Sequence, residues 1–348
     1  QLAASLLSWR MPRLWKQLDA NGQNQLQVSL LKCFSSCHEP PVLRVLGEAC
    51  NATCQQVAMH RDTVWQDLLQ LLVSFLNGSS SAQRVAALDL FGSLVDSIGA
   101  RLQPYHLDLS HVVMKCFKED DVAVCIASLS LVRTVSISWC LSEADRSAWI
   151  EAGYGLFEVA QQALRKPAED ASKGPLLVAC LRAASALATS AKQGQVPLAA
   201  AELASTVLND GKLGKATDSC RTQALQVFRS LVRVAGALDQ KALEALVPMI
   251  CRAAKDEAPD LDDINEVSLV AQTARECIRV FVRADVARTT PLAFDYISQA
   301  MQSRDALDRA AAVHVVCAAW AGARTTAGGG PVHILLQGLE DSTVWVRH

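Results

Sequence analysis

A chain of 348 residues with 33 basic and 35 acidic side chains has a net charge of −2, so no global field draws it onto nucleic acid or an anionic membrane. It is 51% hydrophobic but only 5% aromatic, and its apolar residues are mostly Ala, Leu and Val. That composition suits closely packed helices and argues against an all-β fold. The longest apolar candidate, 310–323, is interrupted by His314 and is too short to span a bilayer. The first residues are not patterned as a charged-then-apolar signal segment, and the chain is expected to be a fragment of a longer protein.

Taken in order, the apolar periodicity and the turn signals predict helices in pairs. Residues 1–18 read as the second helix of a first pair. Then come 22–36 with 41–60, 62–77 with 81–101, 104–118 with 122–140, and 142–165 with 173–193. The series continues with 196–209 and 217–238, 240–255 and 264–284, and 290–302 and 305–323, before 331–340 starts another pair. Stripes at steps of three and four define the buried faces. Trp65, Leu68, Leu72 and Phe75 form one, Ala224, Phe228, Leu231, Ala235 and Leu238 a second, and Val270, Ala274, Cys277 and Phe281 a third. Breaks fall at Asn77-Gly78-Ser79-Ser80-Ser81, at Asn209-Asp210-Gly211 and at Gly328-Gly329-Gly330-Pro331. Several prolines stand at first turns, and Pro248, inside 240–255, predicts a kink.

An arginine opens the apolar helix at Arg44 and again at Arg84, and the landmark returns at Arg309 and Arg347. A helical period of about forty residues is the signature of HEAT or armadillo repeats. The expected fold is all-α: one right-handed superhelical HEAT solenoid over residues 1–348, with about eight pairs, partial at both ends. First helices are expected outside and second helices on the concave side. Such a stack binds along a surface and seldom performs chemistry. The four arginines are expected to form a ladder between neighbouring repeats, because a planar guanidinium meets carboxylate or carbonyl oxygens in two places.

Residues 256–263, Asp256-Glu257-Ala258-Pro259-Asp260-Leu261-Asp262-Asp263, join the two helices of one repeat. Its five acids make it either a solvated linker or an electrostatic contact. The twelve cysteines read as small buried hydrophobes. The pairs Cys33/Cys37 and Cys50/Cys54 lie at i, i+4, looser than the two-residue loops of thiolate zinc sites. No metal or cofactor is therefore expected. No nucleophile elbow, phosphate loop or metalloprotease helix occurs, so an enzyme is not expected either. His314 is expected in the core. Trp65, Phe75 and Phe117 are candidates for an apolar outer surface, with burial the more frequent fate of such rings.

Three stretches add a resemblance. The opening QLAASLLSWRMPRLW, through Gln1, Ala3, Ala4, Leu6, Leu7, Arg10 and Trp15, resembles the early helix of the beta-importins. The acidic segment followed by AQTARECIRVF (271–281) resembles the importin-four and importin-five branch. So does HILLQGLEDSTVWVRH (333–348), through Leu336, Gly338, Leu339, Asp341, Val346 and Arg347. The resemblance implies the N-terminal third of a monomeric nuclear import receptor. It implies cargo on a concave surface, with histones or ribosomal proteins as the basic cargo class. It further implies Phe-Gly nucleoporins on the outside and Ran-GTP on the second helices of residues 1–140, with neither membrane nor nucleic acid as a direct partner. The implied locations are cytoplasm, nucleus and nuclear pore. The other reading of the repeats is a non-transport HEAT scaffold, such as a phosphatase or cytoskeletal adaptor.

Overall fold

The computed structural model describes residues 2–138, 143–167, 169–191, 195–209, 217–235, 240–255 and 268–323. All its regular structure there is helical, with no strand among the described residues. The chain divides into two compact units, Gln1–Val159 and Ala160–His348.

The first unit holds α1 (Leu2–Gln17), α2 (Ala20–Ser36), α3 (Pro40–Arg61), α4 (Gln66–Asn77), α5 (Ser81–Leu102), α6 (His106–Cys116) and α7 (Val122–Ser138). A short 3-10 turn, Gln103–Tyr105, leads into α6, and the next helix, α8 (Glu143–Arg165), carries the boundary between the units. Local chemistry sets the starts. Asp19 accepts from the Gly22 amide at 2.8 Å to begin α2, and Pro40 occupies the first turn of α3. Asp121 accepts from Ala123 and Val124 to begin α7. Asp62, with φ 52°, closes α3 in the left-handed region that Asp tolerates better than most residues. Within each pair the first helix packs on the second: α2 on α3, α4 on α5, α6 on α7. The second helices also pack on one another, so α1, α3, α5 and α7 form a continuous row. The stripe read from the sequence is the buried face of α4: Trp65, Leu68, Leu72 and Phe75 are all buried, and Phe75 stacks on Phe34 of α2 with ring centroids 5.3 Å apart.

The second unit repeats the plan with α9 (Lys173–Ala191), α10 (Gln195–Asn209), α11 (Thr217–Ala235), α12 (Gln240–Ala253), α13 (Leu269–Ala284), α14 (Val286–Ala300) and α15 (Ala306–Ala323). Here α9, α11, α13 and α15 form the row, with α10, α12 and α14 laid against it. Small side chains let the row close up. At Gly322 of α15 an added Cβ would lie 2.6 Å from the Arg279 carbonyl oxygen of α13.

Helix boundaries follow the sequence-based expectation closely, with three differences. The helix expected to start at residue 62 starts at Gln66, after Asp62 has closed α3. The pair expected to start at residue 290 starts at Val286. Asp285 ends α13 and caps α14 at once, accepting from the Arg288 amide at 3.1 Å, and Pro291 lies inside the helix. The helix expected to bend at Pro248 runs through it as α12. The break in helical geometry instead falls at Ile98 of α5 (φ −133°, ψ 23°), just before the chain turns into the 3-10 segment.

Candidate binding grooves and the inter-repeat ladder

Side chains on successive second helices link across repeats at intervals of about one repeat. In the first unit Ser97 of α5 donates to Asn51 of α3 at 2.8 Å, and Ser138 of α7 donates to Asp96 of α5 at 2.5 Å. In the second, Ser185 of α9 meets Ser230 of α11 at 2.8 Å, and Arg229 of α11 faces Glu276 of α13 at 3.7 Å. Cys277 of α13 lies 3.0 Å from the Leu225 carbonyl of α11, and burial pushes its thiol up to about 12.

Of the landmark arginines, Arg84 stands in such a link. Its side chain is only 15% exposed, and it pairs with Glu119 and Asp121 in the turn between α6 and α7 of the next repeat. The Asp121 carboxyl lies below its usual range, first because Ser81 hydrogen-bonds it, then through the Val124 and Ala123 amides and Arg84. Arg44 behaves differently. Its side chain is 83% exposed, and it forms an ion pair with Glu48 of its own helix at 3.9 Å. It also acts electrostatically on Asp89 of α5 in the next repeat. Arg309 donates to the Ser303 and Arg304 carbonyls of the turn before its own helix. A neighbouring cross-repeat link runs instead from Lys255 to Asp305 at 2.5 Å and to Asp308 at 2.8 Å. Arg347 lies outside the described residues, as do Asp256, Glu257, Asp260, Asp262 and Asp263 of the acidic segment.

Two grooves cross the rows. The first, of about 1310 Å³, runs over α3, α5 and α7 of the first unit. Its walls are small apolar residues such as Val45, Val85 and Ala127, and its ionisable groups are Arg44, Glu48, Asp89 and Asp96. Three acids against one base make it electronegative. Asp89 is exposed, yet desolvation by the groove walls holds its carboxyl above the usual range, and Arg44 only partly offsets this. At Gly47 an added Cβ would meet nothing within 4 Å, because that position opens onto the groove. The second groove, of about 700 Å³, runs over α11, α13 and α15 of the second unit, and among the described residues Arg229, Arg275, Glu276 and Arg279 line it. His314, expected in the core, is half-exposed and lines this groove.

Both charged rows escaped the sequence reading. The signal was present in the spacing: Asp89 and Asp96 at i, i+7, and Arg275 and Arg279 at i, i+4, each on the helix face away from the apolar stripe. The rings considered for an apolar surface, Trp65, Phe75 and Phe117, are buried against neighbouring helices. Exposed apolar side chains on first helices include Val28 on α2, Val73 on α4 and Leu107 on α6, with Tyr154 on α8 an exposed ring. Cys50 and Cys54 lie in the packing face of α3, and burial pushes the Cys50 thiol up to about 12.

No protein-family model and no curated protein sequence matches the chain. Solved structures do. The chain superposes on Kap121p bound to Pho4p with a TM-score of 0.78 at 18% identity, covering 99% of this chain and 34% of that one. For Kap121p bound to RanGTP the values are 0.71, 18%, 99% and 33%, and for Kap121p bound to Nup53p they are 0.77, 17%, 99% and 34%. The chain thus spans about a third of the length of the proteins it resembles. Its fold is that of the karyopherin HEAT-repeat solenoid.

Proposed function

We propose that this chain is part of a nuclear transport receptor of the beta-importin kind. The observation that carries the reading is the superposition on Kap121p over 99% of the chain, in structures that include complexes with Pho4p, RanGTP and Nup53p. On this reading the receptor binds protein cargo, passes the pore by contact with Phe-Gly nucleoporins and gives up cargo when Ran-GTP binds. It works as a monomer and performs no catalysis.

The α3–α5–α7 groove suits a role in that cycle. Its carboxylates Glu48, Asp89 and Asp96 lie among small apolar walls, and a cleft of that kind concentrates field and attracts a basic partner. We assign it to the Ran surface on the second helices of residues 1–140. Basic cargo, of the histone or ribosomal-protein class, is then released by competition, to which the acids of 256–263 contribute. Val28, Val73 and Leu107 on first helices are the positions proposed for Phe-Gly contact.

The experiment is retention of the chain on immobilised Ran loaded with a GTP analogue or with GDP. The expected result is retention by the GTP form only, with roughly tenfold weaker binding for the double variant Asp89→Lys/Asp96→Lys. Retention by neither form, or equally by both, would overturn the transport reading and leave the HEAT scaffold.

A further inference from the structure

The asparagine that ends α4 is followed by glycine, the pairing in which a side-chain amide is most open to attack by the main chain. We propose that Asn77-Gly78 is a self-modifying site, where deamidation assisted by Lys115 of the next repeat replaces a neutral tie between α4 and α6 with a charged one. The partners of the amide prepare the reaction. Lys115 of α6 donates to Asn77 Oδ1 at 3.2 Å, and Asn77 Nδ2 donates to the Val73 carbonyl at 3.1 Å. The two contacts fix which way the amide faces. Asn77 and Gly78 are both exposed, and Gly78 has left the helix with ψ 171°, so water and base reach the site.

In the reaction the Gly78 amide loses its proton to hydroxide, and its nitrogen attacks Asn77 Cγ. The carbonyl π pair moves onto Oδ1, where the Lys115 ammonium faces the developing negative charge. As the carbonyl re-forms, the Cγ–Nδ2 bond breaks, and Nδ2 takes a proton from water and leaves as ammonia. Water then opens the cyclic imide at either carbonyl, giving aspartate or isoaspartate at position 77. Both products carry a carboxylate in place of the amide that Lys115 held. Glycine matters because no side chain crowds the attacking nitrogen and its backbone turns freely. The chain's other Asn-Gly pair, Asn21-Gly22, supplies an internal contrast. It lies within α2, and the Gly22 amide donates to the Asp19 carboxylate at 2.8 Å, so removing its proton would set two negative charges side by side. The Gly78 amide instead donates to the neutral Phe75 carbonyl at 3.0 Å.

The test is peptide mapping by mass spectrometry of the whole folded chain, incubated at mildly alkaline pH. Position 77 is expected to convert at least about tenfold faster than position 21. Lys115→Met should slow conversion at position 77 by roughly threefold to tenfold, the effect of losing one exposed cation beside the oxyanion, and Lys115→Arg should restore it. Position 21 reports the fold in the same sample: its rate should be the same in Lys115→Met as in the wild type, whereas unfolding would raise it. In urea both positions should convert at similar rates, with or without Lys115. The proposal is overturned if the folded chain converts positions 77 and 21 equally, or if Lys115→Met leaves the rate at position 77 unaltered.

Discussion

Gly47 and Gly322 show how one residue type plays two roles in this stack. At Gly47 a methyl group would enter open space above the groove. Gly47→Ala should therefore raise stability by about 0.5–1 kcal/mol, because Ala loses less backbone entropy in a helix. At Gly322 the same methyl would press on the Arg279 carbonyl at 2.6 Å and on Val282 Cβ at 3.0 Å, forcing α15 away from α13. Gly322→Ala should lower stability by roughly 1–3 kcal/mol. Urea titrations of the two variants test the pair, and a loss at Gly47 would mean that its side of the groove is not open. Asp89 poses a related question of sign. Burial lifts its carboxyl above the unfolded value, so ionisation works against folding at neutral pH. Asp89→Asn should raise the melting temperature at pH 7, and the gain should vanish below about pH 3, where both forms of the wild type are protonated. The variant should also bind basic partners less tightly, since the strain of that carboxylate is relieved by a cation. A melting temperature at pH 7 that stays put or falls would show that the groove walls do not desolvate it.

Whether a helix is braced to the next depends on what the neighbouring turn offers, as Arg84 and Arg44 show. Both open a second helix about one repeat apart, and the sequence alone makes them equivalent. The first is enclosed with Glu119 and Asp121, while the second is 83% exposed, pairs with Glu48 of its own helix and only acts electrostatically on Asp89. Arg84→Ala should cost about 2 kcal/mol by leaving largely enclosed carboxylates without their cation, and Arg44→Ala about 0.5 kcal/mol or less. Thermal melts of the two variants should therefore differ by several degrees, and equal shifts would sink the distinction. The Asp121 contribution is present above the unfolded carboxylate range and is lost as pH falls through its lowered value, so the Arg84→Ala deficit should shrink in acid. The paired helices were legible in the sequence because each stripe is set by neighbours three and four residues away, as at Leu68 and Leu72. The grooves were not, because Glu48, Asp89 and Thr134 belong to three helices, each about forty residues from the next, and periodicity names a face without naming what lies across it.

Within each unit the contacts that hold a second helix come from its own pair and from the repeats on either side. Stability in such a stack is a sum of repeat and neighbour terms, so a local loss should stay local. Buried thiols provide reporters in both units. Cys116 and Cys125 lie in α6 and α7, the pair that Arg84 ties down, and Cys277 lies in α13. Burial raises the Cys116 and Cys277 thiols, the latter to about 12, so little thiolate forms in the folded state and labelling reports opening. In pulse labelling with a maleimide across a urea series, read by mass spectrometry, Cys33 and Cys317, both exposed, should react throughout. Arg84→Ala should shift the labelling of Cys116 and Cys125 to lower urea and leave that of Cys277 where it is. If all three midpoints move together, stability is shared along the chain as one cooperative whole, and the nearest-neighbour account does not hold. If they separate, the second unit keeps its fold while the first loosens, and Cys277 should stay protected at urea concentrations where Cys116 already reacts.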